Sequence, residues 1–123
     1  MICGVTIYGI RNCSTVKKAI SWLDSQGIAY HFHDVRKDGL AQELLMTWVR
    51  ALGWERLLNR SGMTFRKLPE EDKNGLDEAK AVSLMLAHPA SIRRPITVYG
   101  ACIQVGFKPE AYEAAFLLHS EDN

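Results

Sequence analysis

Cys13 is the residue in this chain best placed to do chemistry. It follows the run Thr6, Ile7, Tyr8, Gly9, Ile10, Arg11, Asn12 and precedes Ser14, Thr15, Val16, Lys17, Lys18. Apolar residues from Ile2 to Tyr8, broken only by Gly4 and Thr6, describe a strand buried on both faces. Gly9 ends that run, and Asn12, Ser14 and Thr15 are candidates to cap the helix that follows. Val16, Ala19, Ile20 and Leu23 then recur at helical spacing. A cysteine at a helix start meets unbonded backbone N–H groups and the positive end of the helix dipole, both of which favour thiolate over thiol. Arg11, Lys17 and Lys18 add to that preference wherever their heads approach the sulfur. Free cysteines are most often small buried residues, but a strand-to-helix turn is a polar, exposed place. The pattern therefore points to nucleophilic thiol chemistry at Cys13.

The remaining cysteines, Cys3 and Cys102, fall within expected strands and read as small buried hydrophobes. Three cysteines without metal-type spacing suit a reducing compartment better than a disulfide framework. His31 and His33 alternate on one strand face, yet no cysteine or carboxylate at ligand spacing completes a metal site with them. No metal is expected. A net charge of +1 gives no general push toward nucleic acid or membrane, so neither is an expected partner. The N-terminal apolar run is short and has no basic stretch before it, and no other run approaches a membrane span. The expected location is the cytoplasm.

The elements that must position Cys13 follow in order. Ser25, Gln26 and Gly27 stop the first helix, and Ile28 to Val35 reads as a second strand, giving β-α-β with parallel strands. After the charged turn Arg36 to Gly39, a helix from Leu40 ends at Gly53, with a short further turn through Trp54, Leu57 and Leu58. Residues 59–69 read as a cation-rich loop, Glu70 to Gly75 as a solvated turn or a frayed helix end, and Leu76 to His88 as a helix with Ala79, Val82, Met85 and Leu86 inward. Ile96 to Tyr99 and Cys102 to Val105 form a hairpin across Gly100 and Ala101, and Lys108, Pro109 and Glu110 open a last helix. The expected fold is α/β: one domain over residues 1–123, with a thioredoxin-like core (β-α-β then β-β-α, a mixed four-stranded sheet). That core covers about 1–38 and 92–119, with a helical insertion over about 39–91. In this arrangement the residue before the third strand is commonly a cis-proline near the catalytic cysteine, and Pro95 stands there.

Tyr8 to Cys13, Arg36 to Leu40, Asn59 and Arg60 with Thr64 to Leu68, and Leu84 and Met85 through His88 and Pro89 to Arg94 and Pro95 occur in this order and separation. Together they resemble the arsenate reductase-like ArsC/Spx family, and most its YffB-type branch. The resemblance implies a thioredoxin-like fold with a helical insertion, and a nucleophilic cysteine helped by arginines that hold an oxyanion. It assigns the nucleophile to Cys13 and substrate or anion binding to Arg60 and Arg94, with Arg11 as a further candidate. An arginine that the reductases carry near the last strand appears here as Lys108, a point charge without the bidentate fork, which argues against arsenate as substrate. Spx-type regulators carry a second cysteine three residues after the first, where this chain has Val16. The implied function is a monothiol reductase resolved by glutathione as co-substrate, or with glutaredoxin as partner, acting on a small thiol or oxyanion. The alternatives are an RNA polymerase-binding regulator without the two-cysteine switch, and an arsenate reductase.

Overall fold

The computed structural model describes residues 4–118; Cys3, His119 and the chain end beyond it lie outside the described residues. The chain divides into two compact units, Met1–Asp34 with Arg94–Asn123, and Val35–Arg93.

The first unit is built on a four-stranded sheet. Its strands are β1 (Val5–Gly9), β2 (His31–Asp34), β3 (Ile96–Tyr99) and β4 (Cys102–Val105), in the order β2-β1-β3-β4. β1 and β2 are parallel, and β3 runs antiparallel to both β1 and β4. This is the expected α/β, thioredoxin-like arrangement. Helix α1 (Ser14–Ser25) makes the crossover between the parallel strands. Gly27, with φ 68°, takes the left-handed conformation that ends it, which a residue with a Cβ adopts only at a cost. β2 is shorter than the hydrophobic pattern suggests: Ile28 is buried but outside the ladder, and pairing begins at His31 opposite Thr6.

Alternation along β1 sends Val5 and Ile7 to one face, where Ala19 and Leu23 of α1 meet them. Tyr112, from the short helix α7 (Pro109–Tyr112), and Phe116, from the π-helical segment Glu113–Leu118 that continues it, complete this core. Trp22 and Phe107 meet the Tyr112 ring edge-on, with centroids 5.4 and 4.8 Å away. Such contacts add about 0.5–1.5 kcal/mol each beyond area burial. The Tyr112 hydroxyl shares a hydrogen bond with Thr97 of β3, so the one polar group of this buried ring is satisfied.

The second unit is helical: α2 (Gln42–Leu52), α3 (Trp54–Leu57), α4 (Met63–Arg66), α5 (Glu70–Lys73), α6 (Glu78–Ala87) and a 3₁₀ turn, Pro89–Ser91. Both α2 and α3 pack on α6. The region expected to be a loop contains the single-turn helix α4, too short to leave a periodic signal, and of the two readings of Glu70 to Gly75 the helical one holds, as the single turn α5. In α6 the buried residues are Ala81, Val82, Leu84 and Met85, while Ala79 is exposed. The helix starts later than Leu76 because Asp77 caps it, its carboxylate accepting the Lys80 N–H at 2.9 Å.

Candidate active site

Gly9 sets the approach of α1 to β1. A Cβ on Gly9 would lie 2.7 Å from Val16 Cγ2, so only glycine lets the first turn of the helix sit this close. The Cys13 N–H donates to the Ile10 carbonyl at 3.2 Å, and the Cys13 carbonyl accepts the Lys17 N–H at 3.1 Å. Cys13, extended at φ −98° and ψ 123°, is thus the N-cap itself, in place of Asn12, Ser14 or Thr15. The neutral thiol closes no capping hydrogen bond of its own. The amides of Val16 and Thr15 are nonetheless near enough to act as donors to the anion.

Strand register brings the third donor. Tyr8 lies opposite Ile96, which places Pro95 and Arg94 beside the Gly9–Ile10 end of β1, where the chain turns toward Cys13. The Arg94–Pro95 peptide bond is cis and Pro95 is buried. The Pro95 carbonyl accepts the Gly106 N–H at 2.8 Å, tying this corner to the end of β4. Arg94 donates toward the Cys13 sulfur. Half-burial of the thiol pushes its pKa up, but the Val16 amide, the Arg94 hydrogen bond, the Thr15 amide and the Arg94 charge together outweigh it. The Cys13 pKa lies below that of an ordinary cysteine.

Other candidate residues have different surroundings. Arg11 is exposed, with its guanidinium 5.8 Å from the Phe32 ring centroid, and Lys17 and Lys18 are exposed on α1. The positive charge that lowers the thiol pKa is that of Arg94, not theirs. In the helical unit, exposed Arg60 has its guanidinium 5.7 Å from the Trp54 ring centroid. Lys108 is exposed and precedes α7, its carbonyl accepting the Tyr112 N–H at 3.1 Å. Cys102 is only half-buried, with Gln104 Nε2 at 3.9 Å from its sulfur, so it is not the fully buried residue expected of a strand cysteine. His33 packs its ring against Tyr8 at 5.2 Å. Among the described residues no group of three or more His, Cys, Asp or Glu could hold a metal ion, and no helix is long and apolar enough to cross a membrane. The sequence pointed to backbone N–H groups at this helix start but did not say which ones; the structure names Thr15 and Val16.

The arrangement can hold a thiolate and present it to an electrophilic sulfur or oxyanion centre. The YffB protein is a solved structure 51% identical, with TM-score 0.89, covering 91% of this chain and 98% of that one. An arsenate reductase (ArsC) related protein from Brucella melitensis is also 51% identical, with TM-score 0.75, covering 93% of this chain and 95% of that one. The global transcriptional regulator Spx of Listeria innocua is 26% identical over 108 residues, 86% of this chain and 82% of the regulator. The model of the ArsC family matches residues 8–115. With nearly the whole sequence matched, from the end of the first strand through the last helix, the chain belongs to the ArsC family.

Proposed function

We propose that the protein is a thiol oxidoreductase with Cys13 as its single nucleophile and glutathione as the resolving thiol. The observation that carries this reading is the sulfur held among two backbone amides and Arg94, with its pKa lowered despite half-burial. In the first step the Cys13 thiolate attacks a disulfide R–S–S–G, forming Cys13–S–S–G and releasing R–S⁻. Glutathione thiolate then attacks that mixed disulfide, restoring Cys13 and leaving oxidised glutathione. The net exchange is R–S–S–G + GS⁻ → R–S⁻ + G–S–S–G: the R sulfur is reduced to a thiolate and the incoming glutathione sulfur is oxidised to the disulfide level. Val16 stands where a second cysteine would make a local disulfide, which favours an external thiol or a glutaredoxin as the resolving partner. Arg94 is the anion-binding residue of this reading; Arg60, in the other unit, and Lys108 are left out of it. Mass spectrometry after incubation with oxidised glutathione tests it. One glutathione should add at Cys13 and be removed by reduced glutathione, whereas addition mainly at Cys3 or Cys102 would end the proposal.

Similarity to Spx favours one second reading, a regulator that binds a protein partner such as RNA polymerase. Under that reading Cys13→Ser keeps full activity in cells and a stoichiometric partner is recovered by pull-down.

A further inference from the structure

We propose that a groove beside Cys13, along α1 on the β2 side, is a subsite for the organic group of a low-molecular-weight disulfide substrate, selecting groups that carry a carboxylate next to a flat or apolar portion. This rests on the thiol oxidoreductase reading of Cys13. The groove is lined by Arg11, Val16, Lys17, Ile20, Tyr30 and Phe32 and has a volume of about 380 Å³. That lies at the small end of ligand clefts, about 300–1,000 Å³, and suits a small molecule. Val16 joins it to the sulfur: it is one of the residues lining the groove, and its amide lowers the Cys13 pKa.

The groove has polarity along the helix. Arg11 and Lys17 lie toward the Cys13 end, Arg11 being held over the Phe32 ring, and no carboxylate lines the walls. Asp24, two turns further along α1, acts on Tyr30 at the opposite end. A carboxylate is therefore favoured close to the reacting sulfur and disfavoured at the far end, where Ile20 and the Tyr30 ring offer apolar contact. None of these features serves the thiolate directly, so the core fold and the Arg94 contact leave the groove's chemistry unexplained.

Two aryl disulfides read this selectivity. Cys13 thiolate attacks one sulfur of Ellman's reagent, whose rings carry carboxylates, or of 2,2′-dithiodipyridine, whose rings carry none. Each reaction leaves a Cys13 mixed disulfide and releases one absorbing leaving group, the aryl thiolate from Ellman's reagent or, after uptake of a proton from water, pyridine-2-thione from 2,2′-dithiodipyridine. Rates are measured for the intact chain, Lys17→Ala, Arg11→Ala and Lys17→Arg, subtracting the reaction of Cys13→Ser, which reports Cys3 and Cys102. The ratio of the two rates should fall about five- to tenfold in each alanine variant and largely recover in Lys17→Arg. It should also shrink as salt screens the exposed cations. Because both probes need the same thiolate, a changed thiol pKa cancels in the ratio. A ratio within twofold of the parent, at a normal rate with the neutral probe, overturns the subsite alone. An equal fall in the iodoacetate-to-iodoacetamide ratio also overturns it, by showing diffuse charge rather than docking. No Cys13-dependent reaction with either disulfide overturns the thiol reading and the subsite with it.

Discussion

At Cys13 burial and hydrogen bonding pull in opposite directions, and the direction of the thiol pKa says which prevails. Two of the three donors are backbone amides that no side-chain substitution removes, so Arg94 is the adjustable one. With its pKa depressed, Cys13 becomes thiolate at lower pH than a free cysteine, about 8.5. Its alkylation rate should therefore rise and level off at lower pH than that of a model thiol. Arg94→Ala should move that midpoint upward and slow alkylation at neutral pH by roughly tenfold, the worth of a lost charge-assisted hydrogen bond of about 1.5 kcal/mol or more. Arg94→Lys should recover part of the loss, because a lysine restores charge without the planar fork. Arg93→Ala is the control, since Arg93 is exposed and its structural bond is the backbone N–H to Leu57 at 2.7 Å. A midpoint that Arg94→Ala leaves in place would take the arginine out of the site. Cys13 was picked out by residue type and order and Arg94 by the family resemblance and its neighbour Pro95, whereas the place of Arg11 was not legible: the sequence shows a cation two residues from the sulfur but not that its guanidinium lies over Phe32.

The elements that hold this residue depend on one contact, Gly9 against Val16. Gly9→Ala must displace a stiff β-branched side chain from the 2.7 Å approach, because Val16 is itself buried and has little room to yield. Overpacking of this kind costs about 1–3 kcal/mol. It should also slow Cys13 alkylation, since the same Val16 supplies an amide to the sulfur. Adding Val16→Ala removes the clashing methyls, so the double variant should be more stable than the sum of the two single losses by about 1 kcal/mol or more in urea titrations. Additive losses would mean the strand and helix adjust independently. The strand end, the glycine and the helix were readable from hydrophobic period alone. The short helix α4 was not, and α5 was only one of two readings, because four residues make barely one turn and leave no repeat to detect. β2 misled for a related reason: Ile28 and Tyr30 continue the alternating pattern, but hydrogen-bonding to β1 starts only at His31.

For the molecule as a whole, the order β-α-β then β-β-α was visible because strands and helices differ in period. The β3–β4 hairpin was visible too, but the antiparallel pairing of β3 with β1 came only with the structure. The bounds Val35–Arg93 of the helical unit are a few residues wider than the insertion read from the sequence, since the charged turn after β2 carries no hydrophobic signal to place it. The same sheet gives a test of global stability through Tyr112. Its side chain is fully buried, and that burial, only partly opposed by the hydrogen bond with Thr97, pushes its pKa up to about 12. An unfolded tyrosine loses its proton near pH 10. Between roughly pH 10 and 12 the unfolded chain has released a proton that the native protein still holds, so stability falls by about 1.4 kcal/mol per pH unit from this group. Tyr112→Phe removes that dependence. At neutral pH the variant should be less stable by about 1 kcal/mol, because the Thr97 hydroxyl loses its buried partner. As pH rises the parent loses its advantage, and denaturant-derived stabilities of the two proteins should cross between about pH 10 and 12. Curves that stay parallel across that range would show that the Tyr112 hydroxyl titrates as it does in the unfolded chain, and that the core around it admits water.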